Sequence, residues 1–327
     1  MINLDSKKEY HSVGELVRDV FGASVYIANI TGGQGGDINE AYRVSLSSGD
    51  LIFVKTNSIE NADFFRKESD GLLALRHAGK IGVPHILGTG IDREQGYSFL
   101  ALEYIEGSAR VNTYWETFGH QLAELHRAEC PVFLKEKKTV AIEGKQDGNS
   151  GRESGVRYGF PEDNYIGASA QKNHPGEKWV EFYRDCRLLP QITMAERYFD
   201  PDMRKKAEYL LDHLDSYLRE PEFPSLLHGD LWSGNMLTGP DGKAWIIDPA
   251  VYVGDFETDL AMTQLFGSLP ERFYDAYSEI NPIDKKGYGV RRKLYDLYHL
   301  LNHLNLFGRT YLRSVVEIIE EYSVKIR

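Results

Sequence analysis

Residues 225–262 read SLLHGDLWSGNMLTGPDGKAWIIDPAVYVGDFETDLAM, and the rest of the chain is best read outward from this stretch. Asp230 stands inside His228-Gly229-Asp230, Asn235 follows it by five residues, and Asp248 closes the apolar run Trp245-Ile246-Ile247. Leu226-Leu227 lead into the first loop. Met236-Leu237 and Trp245 to Ile247 then read as two strands joined by the turn Gly239-Pro240-Asp241-Gly242. Such a hairpin brings Asn235 and Asp248 to one end, where carboxylate, amide and ligand phosphates can share an oxygen-preferring cation such as Mg²⁺. Asp230 is then free to accept a proton from a substrate hydroxyl.

Taken alone, His-Gly-Asp is as readily an ordinary turn; Asn235 and Asp248 in register make the phosphoryl-transfer reading the stronger one. The arrangement resembles the catalytic and metal-binding loops of the protein-kinase-like superfamily. It departs from protein kinases in two ways: Pro249-Ala250 follow the metal aspartate instead of Phe-Gly, and Gly254-Asp255 arrive too soon for a phosphorylatable activation loop. A small-molecule kinase is therefore favoured over a protein kinase.

Upstream, Ser12-Val13-Gly14-Glu15 matches a capping box ahead of Val13, Leu16, Val17, Val20 and Phe21, which predicts a short helix stopped by Gly22. Strand-like runs at Val25 to Ile30 and Glu40 to Leu46 flank a glycine-rich loop with Gly33, Gly35, Gly36 and Asp37. Glycines there let backbone N–H groups approach a phosphate, although a plain flexible hairpin accounts for the loop equally well. Neither a dinucleotide fingerprint nor a Walker-type loop fits, since Ile38 falls at the third glycine position and no Lys-Ser/Thr ending is present.

Lys55 ends the apolar run Leu51 to Val54, and Glu68 lies within a following helix that carries Phe64, Phe65, Leu72 and Leu75. Separately each would be a surface charge. Together they look like the superfamily's ion pair, in which a carboxylate holds an ammonium against nucleotide phosphates. Runs at Val83 to Gly88 and Ser98 to Ile105 complete an expected sheet of five antiparallel strands, and backbone groups near Glu103 and Ile105 are candidates for an adenine edge. The fold expected is α+β and two-lobed: residues 1–106 form an ATP-binding lobe, and residues 107–327 a mostly helical catalytic and substrate lobe.

Further along, Trp115, Phe118, Leu122 and Leu125 keep a helical rhythm, with His126 on the same face as a core histidine. Residues 131–155 read as a long surface loop, Gly159 to Gly167 as a turn-forming patch, and Trp179, Phe182, Tyr183 and Leu188 as a helix. Arg204 to Leu218 is helical by spacing. Glu257, Asp259 and Leu260 open another helix, from which Asp259 either bonds the catalytic loop or serves only the helix dipole. Arg291 to Tyr322 predicts two packed helices broken at Gly308, with His299, Asn302 and His303 near their contact face. Those polar groups either line a substrate cleft or satisfy one another.

The 327 residues suffice for two cores, and the 42% apolar content fits a soluble globular protein. No run spans a bilayer and the first residues lack a signal-peptide core, so the cytoplasm is the expected location. Cys130 and Cys186 show no paired spacing, which suggests neither a disulfide framework nor a zinc site and reads as buried or half-buried thiols. A formal charge of −11 argues against a nucleic-acid partner and would suit a cationic substrate. With no heptad pattern or exposed apolar helix, a monomer is expected.

At family level the chain resembles the fructosamine kinases, or ketosamine-3-kinases, a branch of the group that includes aminoglycoside and choline kinases. The resemblance rests on GGDINEAYRV at 35–44, GFPEDNYIG at 159–167, Gln171 to Asn173, Trp179 to Leu189, HGDLWSGNM at 228–236, GDFETDLAM at 254–262 and LYDLYHLLNHLNLFG at 294–308. It implies ATP- and Mg²⁺-dependent phosphorylation of the sugar 3-hydroxyl of a ketoamine, free or protein-bound, which serves deglycation because the phosphorylated adduct falls apart. Carried onto this chain, Lys55 and Glu68 would position ATP, Asp230 would be the base, and Asn235 and Asp248 the metal ligands. Trp232, His299 and His303 are the expected substrate contacts, Trp232 reading equally well as buried packing for the loop. Residues 131–155 are longer than the family's usual connection, and the glycine loop has no cysteine for thiol regulation. The alternatives are a kinase for another amine-bearing alcohol of the aminoglycoside or choline type, or a nucleotide-binding pseudokinase.

Overall fold

From Glu9 to Glu103 the chain builds one six-stranded sheet, as seen in a computed structural model that describes residues 8–32, 39–130 and 155–323. Its elements are β1 (Glu9–Tyr10), α1 (Val13–Phe21), β2 (Ile27–Gly32), β3 (Glu40–Leu46), β4 (Leu51–Ser58), α2 (Ala62–Ala78), β5 (Ile86–Asp92) and β6 (Tyr97–Glu103). The strand order is β1-β5-β6-β4-β3-β2. The five expected strands are the antiparallel neighbours β2 to β6. The sixth, β1, joins the edge parallel to β5 and at two residues is too short to leave a periodic signal. Gly33, Gly35, Gly36 and Asp37 of the glycine-rich loop lie outside the described residues, as does 131–154 of the expected long loop.

Ser12 caps α1 as the capping box predicts, its hydroxyl accepting from Glu15 N at 3.1 Å; the Glu15 carboxylate reaches one residue further back than the motif requires and accepts from His11 N at 2.8 Å. Alternation along β6 then separates two cores. Phe99 and Ala101 pack with Leu16 and Val17 of α1 on one face, whereas Leu100 and Leu102 join Phe65, Leu72 and Leu75 of α2 on the other. The second face continues without a break into the apolar interior of the remaining chain, so α2 and the sheet are fixed against it.

That remainder comprises α3 (Tyr114–His126), β7 (Asn164–Ile166), β8 (Ser169–Gln171), α4 (Trp179–Tyr183), a π-helical turn (Arg184–Leu188), α5 (Leu189–Ala195) and α6 (Pro201–Asp212). It continues with β9 (Ser225–Leu227), β10 (Met236–Thr238), β11 (Ala244–Ile246), β12 (Tyr252–Gly254), α7 (Glu257–Leu265), α8 (Glu271–Ile280), α9 (Lys285–Phe307) and α10 (Leu312–Tyr322). The break between α9 and α10 falls at Gly308, where φ is 87°. Helix α8 has no counterpart in the sequence reading. It crosses α3 at Gly119, where an added Cβ would stand 2.4 Å from Phe273 O, so the crossing requires glycine.

The turn-forming patch at 159–167 is in fact half of a hairpin, β7–β8. Its buried amides serve the segment after Asp248: Asn164 Nδ2 donates to Val251 O at 2.8 Å and Gln171 Nε2 to Ala250 O at 3.0 Å. Backbone N–H and C=O groups away from water need such partners, which is why three polar side chains, Asn164, Gln171 and Asn173, are buried together here.

Candidate active site

Two short sheets hold the loop that carries Asp230. β9 pairs with β12 on one side, and the expected β10–β11 hairpin pairs Met236 with Ile246 on the other. Between them Gly229 takes φ 82° with its Cα against Ala250; a Cβ would lie 2.1 Å from Ala250 O, so only glycine lets the loop pass this close. His228, fully buried, accepts at Nδ1 from Asp230 N (3.2 Å), which leaves Nε2 as the donor to Ile247 O (2.9 Å). Burial lowers its pKa and keeps the ring neutral, consistent with one donating and one accepting nitrogen.

Asp259, in the first turn of α7, takes both loop amides: Oδ2 accepts from His228 N and Oδ1 from Gly229 N, each at 2.8 Å. Of the two readings the sequence left open, loop anchoring is the one realised. His126 is the core histidine expected, bonded to Tyr277 Oη at 2.7 Å and to Asp259 at 3.2 Å. Burial would raise the Asp259 carboxyl, but the hydrogen bond and charge of His126, together with the hydrogen bond from Gly229 N, outweigh it and hold the group below its ordinary value.

Asp230 is pushed up to about 7, first by burial and then by the charge of Asp248; the Asn235 amide opposes this by donating to Oδ2 at 3.2 Å. Asn235 Nδ2 also reaches the carbonyls of Asp230 and Asp248, so its Oδ1 is turned away from them. Asp248 is the one non-glycine residue of the described chain with positive φ, at 56°. That conformation aims Oδ1 at Lys55 Nζ, 2.6 Å away.

Lys55 lies on β4 and Glu68 on α2, and Nζ meets Glu68 Oε1 at 2.7 Å. Burial alone would lower the Lys55 ammonium; the carboxylates of Asp248 and Glu68 more than reverse this and hold it above its ordinary value. One cation between two carboxylates therefore joins the sheet, α2 and the loop after β11.

All five of these side chains, Lys55, Glu68, Asp230, Asn235 and Asp248, line one cavity of about 1060 Å³. Trp232 and His303 line it too. His299 does not; it is buried beneath, with Nδ1 3.9 Å from Asp230 Oδ1 and without a hydrogen-bond partner among the described residues. Burial, with the neighbouring His303, lowers His299 to about 3, so it is neutral. Glu103 and Ile105 are likewise absent from the lining; the Glu103 carboxylate instead accepts from His85 N at 3.1 Å. The sequence reading missed apolar wall residues that only the folded chain gathers: Ala41 and Phe53 near Lys55, and Phe64, Tyr165, Phe266, Phe307 and Tyr311. Most sat in strand or helix runs where an apolar residue reads as core, while Tyr165 sat in the turn-forming patch.

Among the described residues no group of three or more His, Cys, Asp and Glu side chains is arranged to hold a metal ion. The chain thus offers no closed cage, but it does offer a carboxylate oxygen of Asp248 and Oδ1 of Asn235, neither engaged by a described hydrogen-bond donor, on the wall of one cavity. A hard cation that takes one or two protein oxygens and completes its shell with phosphates and water fits this donor set.

The family model for fructosamine kinase matches residues 10–325. A probable ketoamine kinase of Synechocystis sp. is 33% identical over 323 residues, spanning 97% of this chain and 98% of the relative. A chloroplastic protein-ribulosamine 3-kinase of Arabidopsis thaliana is 35% identical over 304 residues, 92% of this chain and 84% of the relative. The crystal structure of a candidate fructosamine-3-kinase from Haemophilus somnus superposes with a TM-score of 0.77 at 28% identity, covering 95% and 96% of the two chains. A choline kinase of Streptococcus pneumoniae, at 13% identity and a TM-score of 0.56 over 95% and 97%, shares the fold alone. Matched over nearly its whole length by model, relatives and structure, the chain belongs to the fructosamine kinase family.

Proposed function

We propose that the protein transfers the γ-phosphoryl group of ATP to the sugar 3-hydroxyl of ketoamines, with Mg²⁺ as the metal, and so acts in deglycation. The observation that carries this reading is the meeting of Asp230, Lys55, Asn235 and Asp248 on one cavity wall, in a chain whose relatives are named for ketoamines and protein ribulosamines. The lobe formed by residues 1–106 would hold the nucleotide and that formed by 107–327 the acceptor. Ala41, Phe53 and Ile247 offer apolar surface for the base.

In this reading Glu68 holds the Lys55 ammonium where it meets the phosphates. The acceptor oxygen attacks phosphorus, the bond from phosphorus to the leaving oxygen of ADP breaks, and the hydroxyl proton passes to the Asp230 carboxylate. A raised carboxyl suits that role, since a base near neutrality takes the proton with more driving force than an ordinary aspartate. Mg²⁺ would be held by Asp248 and Asn235 and would supply positive charge to the phosphate oxygens. The negative net charge of the chain supports a cationic acceptor rather than a nucleic acid.

The test is incubation with ATP, Mg²⁺ and, side by side, a ribulosamine and a fructosamine. The expected products are ADP and the 3-phosphorylated adduct. Preference for an aminoglycoside or for choline over both adducts overturns the substrate assignment, and intact ATP binding without turnover overturns the kinase assignment.

A further inference from the structure

The cavity has a second half that phosphoryl transfer does not use. From Trp232, two residues past Asp230, aromatic rings follow one another outward: Trp232 to Phe266 with centroids 6.4 Å apart, Phe266 to His303 at 4.8 Å, His303 to Phe307 at 5.4 Å and to Tyr311 at 5.0 Å. They come from three separated places, the catalytic loop, the end of α7 and the α9–α10 elbow, where the turn at Gly308 sets Phe307 beside Tyr311 at 6.5 Å. Trp232, Phe266 and Phe307 are each more than one-third exposed. Aromatic surface left open in a cleft, rather than scattered over the molecule, marks a binding surface.

The strip is also electrostatically unfilled. Among the described residues no lysine or arginine lies over any of its rings, although such contacts form at Tyr10, Tyr104, Tyr158 and elsewhere. The lysines that line the cavity are engaged, Lys55 by Glu68 and Asp248, and Lys67 by Glu162 at 2.5 Å. Exposed aromatic rings lining the same cavity as the Asp230 carboxylate make a place for an external cation, and a ketoamine carries one. Its secondary amine is protonated near neutrality and sits on the carbon next to the carbonyl, a few bonds from the 3-hydroxyl.

Resting on the kinase reading above, we propose that the strip Trp232, Phe266, His303, Phe307 and Tyr311 is the subsite for the amine half of the acceptor. The ammonium lies against ring faces and the carbon chain beyond the nitrogen lies along Phe307 and Tyr311. Selectivity among ketoamines of one sugar is then set by the amine. A lysine-derived adduct, with four methylenes past the nitrogen, covers the distal rings, whereas a methylamine adduct stops short of them.

The experiment compares ribulose adducts of Nα-blocked lysine and of methylamine on the wild type and on Phe307→Ala, Tyr311→Ala and Phe307→Tyr. The wild type should prefer the lysine adduct. In the two alanine variants the ratio of kcat/KM between long and short adducts should fall on the order of tenfold, through KM for the lysine adduct, with KM for ATP unmoved. Phe307→Tyr should retain the ratio. Calorimetric binding of the same adducts reads the strip without turnover. An unchanged ratio and unchanged affinities overturn the subsite while the kinase reading stands. Discrimination in binding without any turnover sinks the kinase reading and leaves the subsite in place. Phe307 is 45% exposed, so its alanine variant should fold, and a thermal melt checks this.

Discussion

The Lys55 ammonium lies 2.6 Å from Asp248 Oδ1, joining residues 193 positions apart in the chain. With Glu68 at 2.7 Å on its other side, Lys55 is the point at which sheet, helix and catalytic hairpin meet. Replacing it by methionine removes the cation that the proposed chemistry sets against the phosphates. Lys55→Met should lower kcat/KM for ATP by roughly 10²- to 10³-fold, the range found when one preorganised electrostatic contact is lost. Steady-state kinetics at fixed acceptor reads this, and a loss under threefold would remove Lys55 from the site.

Asp230 should impose an acidic limb on activity. Its carboxyl is raised to about 7, and only the ionised form accepts a proton, so kcat/KM should fall tenfold per unit as pH drops below that value. Asp248 contributes to the rise through its charge, so a cation bound there relieves the repulsion and moves the limb to lower pH. A pH profile taken at two Mg²⁺ concentrations checks both points. Asp230→Asn should lose about 10²- to 10⁴-fold and abolish the limb.

Asp259 anchors the catalytic loop from a distance. Asp259→Ala leaves the N–H groups of His228 and Gly229 buried without an acceptor, each at a cost of about 1–3 kcal/mol. Denaturant unfolding should show the loss directly. Activity should fall as well, because Asp230 directly follows the two released amides.

Asp296 tests the interior of the helical part. Its carboxyl is nearly buried on α9, Oδ1 has no hydrogen-bond partner among the described residues, and burial raises it to about 7, with Arg292 opposing. The folded state therefore binds this proton more tightly than the unfolded chain, whose value is near 3.8. The stability this lends is complete below the unfolded value and is lost as pH climbs from about 4 to about 7. Asp296→Asn should remove that decline, raising the thermal midpoint at pH 8 relative to wild type and leaving it nearly unchanged at pH 4. Equal shifts at both pH values would show that the carboxyl does not titrate in this window.

Much of the arrangement was legible because it is local. The β10–β11 hairpin, the capping box of α1, the strand that carries Lys55, which runs on to Ser58 rather than ending at the lysine, and the break at Gly308 each follow from turn chemistry or periodicity within about ten residues. What escaped were features whose signal is non-local. β1 is two residues long and exists only by pairing with β5. The 159–167 patch becomes a hairpin because Asn164 and Gln171 find the carbonyls of Val251 and Ala250, some 80 positions away.

The letters alone determined which chemistry was available: an ammonium, carboxylates and an amide at spacings dictated by short loops, in a chain whose blocks mark its family. Tertiary structure alone decided how those groups act on one another. Burial is a property of the packed chain, so the elevation of Asp230, the neutrality of His299 and the sharing of one ammonium by Glu68 and Asp248 arise only when distant segments exclude water around them. The aromatic strip from Trp232 to Tyr311 is of the same kind, because rings from three separate stretches of the chain meet in an open cleft only once α7, α9 and α10 have packed.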